Sequence, residues 1–80
     1  MFVTYILQNN KSKRFYIGST NNLIRRLEEH NRGQTKSTRQ KGYWDLICKE
    51  EFKTIKEAKF REIQIKSYKG GNSFKKLLRR

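Results

Sequence analysis

Met1 to Leu7 is a run of β-branched and aromatic residues that reads as a strand. Polar, turn-forming Asn9-Asn10-Lys11-Ser12 follows it, and Arg14 to Gly18 reads as a second strand. So short a gap predicts an antiparallel hairpin. By alternation Val3, Tyr5 and Leu7 share one face, and Tyr16 and Gly18 share one face of the next strand. The chain must therefore fold around a sheet, and 34% apolar residues over 80 positions supply only a small one. Helices have to cover it.

The rest of the chain supplies them. Ser19-Thr20-Asn21-Asn22 is a cluster of helix-capping types, and a helix is predicted from Leu23 to Arg32, with Gly33 just past its end. Gln34 to Gly42 has no apolar period and reads as an exposed basic loop. Tyr43 to Phe52 reads as a third strand. Thr54-Ile55-Lys56-Glu57 is a capping box that opens a helix to Tyr68. Gly70-Gly71 ends it, and Asn72 or Gly71 can cap a last short helix, Ser73 to Arg80. The expectation is one α/β domain, residues 1–80, with a small three-stranded antiparallel sheet flanked by helices in the order β-β-α-β-α-α.

Charge is the loudest feature. Twenty Lys and Arg face seven Asp and Glu, a formal net charge of +13. Such a chain attracts polyanions, and for a compact basic domain the commonest is nucleic acid. An anionic membrane surface is the rival, but no stretch is long and apolar enough to span a bilayer. Met1 to Leu7 lacks the flanks of a signal peptide. The single cysteine, Cys48, can form neither an internal disulfide nor a zinc site and reads as a buried small hydrophobe. These features together predict a reducing cytoplasmic setting.

Several residues fit a purely structural role poorly. Leu23, Leu27 and His30 form one stripe of the first helix, and Arg26 flanks it one turn before His30. Arg25 and Glu29 read as an ordinary surface pair. An Arg carried towards the sheet needs an anion. In the helix after Thr54, Glu62 is the one acid on a stripe of Ile55, Ala58 and Ile65, and a carboxylate there needs a cation. Spacing alone allows Arg26, Lys59, Lys66 or a metal ion. Tyr5 and Tyr16 sit on adjacent strands, Gly18 marks a bulge or a close backbone approach, and Asn72 stands beside two glycines.

Together these residues resemble a known pattern. The run Tyr16-Ile17-Gly18-Ser19-Thr20-Asn21-Asn22-Leu23-Ile24-Arg25-Arg26-Leu27-Glu28-Glu29-His30-Asn31 is similar to the second half of the GIY-YIG nuclease signature. Val3-Thr4-Tyr5 stands where that family has its first triplet and keeps only its tyrosine. Glu62, within Ala58-Lys59-Phe60-Arg61-Glu62, resembles the family's metal-binding glutamate, and Asn72 stands near its late asparagine. In length the chain resembles short single-domain members. The family includes homing endonucleases, restriction enzymes, structure-specific nucleases and the incision domain of excision-repair nucleases, which the chain also resembles.

The resemblance implies a hydrolase of DNA phosphodiester bonds that uses one divalent ion, Mg²⁺ or Mn²⁺, held by Glu62. It implies that Arg26 binds the phosphate, that Tyr5 or Tyr16 activates the water, and that His30 takes the relayed proton or binds phosphate. Tyr5 is favoured as base, although a phenol with a reference pKa of about 10 needs nearby cations to lower it. Gly18 and Asn72 would shape the backbone at the site. Lys36, Arg39, Lys41, Lys75 and Lys76 would bind the nucleic acid. No recognition helix is visible, so little sequence specificity is expected, with branched or damaged DNA as the structured alternative. Two rivals stand: a non-catalytic nucleic-acid-binding module, and a catalytic domain that acts only with a protein partner or an appended specificity domain.

Overall fold

In a computed structural model, residues 1–33 and 42–79 are described. The order of elements is β1 (Phe2–Asn9), β2 (Phe15–Thr20), α1 (Leu23–Asn31), β3 (Trp44–Phe52), α2 (Ile55–Ser67) and α3 (Asn72–Leu78). This is the expected α/β order around a three-stranded antiparallel sheet. The strands lie in the order β2-β1-β3, which puts the N-terminal strand at the centre.

That central place explains the composition of β1. Val3, Tyr5 and Leu7 point to one face, where they meet Trp44 with Leu23 and Leu27 of α1. Ile6 points to the other face and meets Ile65 of α2 and Phe74 and Leu77 of α3. With helices on both sides, β1 is buried almost throughout. Thr4, on the α2 side, satisfies its hydroxyl by donating to the Ala58 carbonyl at 2.7 Å. Cys48 is half-buried and packs against the second cluster.

The hairpin is longer than its sequence suggested. β1 runs on to Asn9, where the fully buried Asn9 closes the turn with its own side chain, and β2 runs from Phe15 on to Thr20 at its far end. Asn9 Oδ1 accepts from the backbone N–H of Lys11 at 2.9 Å and of Ser12 at 3.0 Å. Lys13 completes the turn with a φ of 63°. The register then sets Tyr5 opposite Gly18 and Thr4 opposite Ser19.

At α1, Asn22 takes the cap, its side chain accepting from the Arg25 N–H at 3.1 Å. At α2, Thr54 accepts from the Glu57 N–H at 3.2 Å, the forward half of the expected capping box. Its hydroxyl also donates to Glu57 Oε1 at 3.0 Å. Gly71, not Asn72, holds the cap position of α3, and Asn72 is the first helical residue. Ile55, expected on the buried stripe of α2, is 42% exposed. The helix turns its 58–65 face inward, and its first residue lies beyond the sheet's cover. No helix among the described residues is long and apolar enough to cross a membrane.

Candidate active site

The site begins with the Tyr5–Gly18 register. A Cβ at position 18 would lie 2.7 Å from Tyr5 Oη, 2.9 Å from its Cζ and 3.0 Å from Tyr16 Cε1. Only a glycine lets the Tyr5 ring lie across β2 in this way. Tyr16 flanks it, with ring centroids 6.3 Å apart. From above, the Leu23–Leu27–His30 stripe of α1 carries His30 into the same space, 4.5 Å from the Tyr16 ring centroid. His30 Nε2 and Tyr5 Oη lie 3.0 Å apart, within hydrogen-bonding distance, and each residue is only 1% exposed.

Arg26 lies on the flank of that stripe, as the sequence implied, and the anion it needs is supplied in part by its own helix. Glu29 pairs with Arg25, as expected, but binds Arg26 more closely. Its Oε1 accepts from Arg26 NH1 at 2.9 Å, whereas Arg25 Nε stands 3.9 Å away. The i,i+3 spacing on the inner side of the helix brings Glu29 to the half-buried guanidinium. Glu29 first, and then the Tyr5 and Tyr16 phenols, hold Arg26 charged against the cost of burial.

Burial sets the protonation of the tyrosine–histidine pair. It pushes the Tyr5 phenol up to about 12, with Arg26 offsetting part of the rise and Tyr16 and Glu62 adding to it. It pulls His30 down to about 4, helped by the neighbouring Arg26 charge and opposed by Glu29. Both groups are neutral at pH 7. An unfolded histidine titrates near 6.5, so as pH falls the unfolded chain binds a proton that folded His30 refuses. His30's contribution to stability is therefore full above about pH 6.5 and lost progressively down to about pH 4, a change of about 3 kcal/mol. Tyr5's contribution is full below about pH 10 and is lost as pH rises towards 12. Urea denaturation between pH 4 and 7 checks the acid limb, and His30→Gln is expected to flatten it.

Glu62 comes from α2. Besides its apolar packing, that helix is tied to the sheet by the Thr4–Ala58 bond and by a two-pronged ion pair. In the latter, Arg61 Nε donates to Glu50 Oε1 at 2.6 Å and NH2 to Oε2 at 3.2 Å. The Glu62 side chain is 13% exposed. Its Oε1 accepts from Ser19 Oγ at 2.6 Å, and its Oε2 accepts from Lys66 Nζ at 2.8 Å. Lys59 Nζ stands 3.9 Å from Oε1. Burial pushes this carboxyl up, but the Lys66 and Ser19 hydrogen bonds and the two lysine charges outweigh it, so Glu62 ends below its usual value. Of the cations that spacing allowed, the lysines are the ones in contact. Ser19 was legible only as a capping type. Its pairing with Glu62 joins residues 43 apart, on the strand face opposite to that of Gly18.

No group of three His, Cys, Asp or Glu that could cage a metal occurs among the described residues. The donor set at Glu62 is one carboxylate. That suits a hard cation such as Mg²⁺ or Mn²⁺ that keeps most of its water, and not zinc.

Tyr5, Tyr16, Gly18, Arg26 and His30 thus form one cluster, and Glu62 lies near enough to raise the Tyr5 phenol. Asn72, Lys75 and Lys76 lie elsewhere, lining with Arg79 a separate pocket of about 170 Å³ on α3. None of the described hydrogen bonds or ion pairs joins Asn72 to the cluster. Lys36, Arg39 and Lys41 lie outside the described residues.

The chain matches the family model of the GIY-YIG catalytic domain over residues 1–75. It is also similar to the solution structure of a UPF0213 protein from Bacillus halodurans. The two are 30% identical, with a TM-score of 0.50, and the match covers 91% of this chain and 90% of that one. Among curated proteins none matches the chain significantly. With the match spanning both the tyrosine–histidine cluster and Glu62, the chain belongs to the GIY-YIG family of nucleases.

Proposed function

We propose that the protein is an endonuclease that hydrolyses DNA phosphodiester bonds with one divalent metal ion, Mg²⁺ or Mn²⁺, and with little sequence specificity. The observation that carries this reading is the 3.0 Å approach of Tyr5 Oη to His30 Nε2 beside a guanidinium and a carboxylate. A neutral imidazole can accept a proton, and the phenol next to it can pass one on. Tyr5 is thereby favoured over Tyr16 as the group that takes the proton of the attacking water. Tyr5 need not be ionised beforehand, because its proton moves to Nε2 as the water's proton moves to Oη. Tyr16, its ring tilted against that of His30, orients the pair. Arg26 binds the phosphate oxygens and offsets their charge as the transition state forms, a role that favours a planar, permanently charged donor. Glu62 would hold the ion, which would supply polarisation of the phosphate and stabilisation of the departing oxygen.

The net charge of +13 supports tight, salt-sensitive attraction to the DNA backbone. Lys75 and Lys76, with Lys36, Arg39 and Lys41, are assigned to that attraction. Branched or damaged DNA is the favoured structured substrate, DNA repair the favoured setting, and the cytoplasm the favoured compartment.

Incubation with supercoiled plasmid and with branched oligonucleotides tests the reading. Nicking is expected with Mg²⁺ or Mn²⁺ and is expected to stop with a chelator, while DNA binding persists and weakens with salt. Binding without cleavage in every condition would leave a non-catalytic nucleic-acid-binding module, or a domain that needs a protein partner or specificity domain.

A further inference from the structure

The two oxygens of Glu62 are held by groups of opposite character. Oε1 accepts from the Ser19 hydroxyl at 2.6 Å. That hydroxyl is neutral and short, and its backbone is fixed where Ser19 pairs with Thr4 of the central strand. Oε2 accepts from the Lys66 ammonium at 2.8 Å. That ammonium is charged, sits on a long stem one turn further along α2, and belongs to a side chain that is 53% exposed.

We infer that Ser19 is a positioning residue that holds Glu62 in place throughout, and that Lys66 is a resident counter-ion that leaves Glu62 when a divalent cation binds. This rests on reading Glu62 as the ligand of the ion. An ammonium and a divalent cation cannot share one carboxylate oxygen at close range, because like charges repel in a half-buried setting. The ammonium is the group that yields. Its ion pair is solvated and weakly held, and its stem can swing into water at little cost. The serine hydroxyl carries no charge and engages the other oxygen, so nothing drives it away. It fixes the carboxylate's orientation in the way that hydrogen bonds behind a ligand usually do.

A Mn²⁺ titration of the whole chain without DNA, at low salt, tests this. It is read by paramagnetic broadening of the Ser19 and Glu62 amide signals. Ser19→Ala is expected to weaken Mn²⁺ binding about tenfold, and Ser19→Thr, which keeps the hydroxyl, to restore most of it. Lys66→Met is expected to tighten binding roughly threefold, and Lys66→Arg to behave as wild type. Thermal unfolding of each variant separates lost binding from lost fold. Unchanged affinity in Ser19→Ala overturns the positioning role. Unchanged or weaker affinity in Lys66→Met overturns the counter-ion role. If wild type binds Mn²⁺ no better than Glu62→Ala, the assignment of Glu62 as metal ligand fails, and the inference with it.

Discussion

Glu62→Gln is expected to lower metal-dependent cleavage by about a thousandfold or more while leaving DNA binding in chelator equal to or tighter than wild type. The size of the loss follows from the site's economy of ligands. On the proposed reading a single carboxylate, that of Glu62, would anchor the ion, and no cluster of three metal-binding side chains occurs among the described residues to share the task. An ion that stabilises both the phosphate and the leaving oxygen contributes several kcal/mol to the barrier, and each 1.4 kcal/mol is about tenfold in rate. Glutamine keeps the shape of the side chain and can still accept from Ser19 Oγ, now 2.6 Å from Glu62 Oε1. What it loses is the charge that binds the cation and pairs with Lys66. Removing that negative charge also frees the lysine for a phosphate, hence the retained or improved affinity. Plasmid nicking and filter binding measured side by side check both halves. Cleavage within tenfold of wild type would remove Glu62 from the chemistry, and lost binding would make it part of the DNA surface instead.

How much of this site could be read from sequence depended on how far apart its partners lie along the chain. Tyr5 and Tyr16 were placed together by the period of two and the tightness of the hairpin. His30 was placed by the period of the first helix, because Leu23 and Leu27 fixed which way that helix faces the sheet. Those are local rules, and they held. Arg26 shows where a local rule stops short. Glu29 is within reach of both Arg25 and Arg26, and only the burial of the inner flank decides that it binds Arg26 at 2.9 Å. The Ser19–Glu62 contact lay beyond such reasoning, since no periodicity links β2 to α2. It arises because β2 lies at the sheet's edge with α2 packed against it, and the strand order β2-β1-β3 was not a property of any single segment. Element ends erred for a similar reason. β1 extends to Asn9 because a buried side chain organises the turn, which propensities do not register.

Gly18→Ala is the second variant expected to act strongly, and it tests how the cluster is built. Any Cβ there would stand 2.7 Å from Tyr5 Oη and 2.9 Å from Cζ, closer than such atoms come. Tyr5 cannot simply swing away, because it is 1% exposed and wedged between β2 and His30. Either its ring leaves a favoured rotamer or the two strands part locally, and overpacking of this kind costs about 1–3 kcal/mol. Both escapes move Oη from Nε2, so cleavage is expected to fall about a hundredfold, in keeping with the effect of an ångström-scale misplacement of a reacting group. The cause can be isolated with a double-mutant cycle. Tyr5→Phe removes the atom that meets the new Cβ most closely but leaves Cζ in contact. In that background, Gly18→Ala should therefore cost measurably less stability than in wild type, though not nothing. Cleavage should stay lost in the double variant, because the hydroxyl is gone. Urea denaturation of the four proteins gives the coupling directly. A strictly additive result would mean that the penalty at position 18 arises from the strand backbone and not from the tyrosine lying across it.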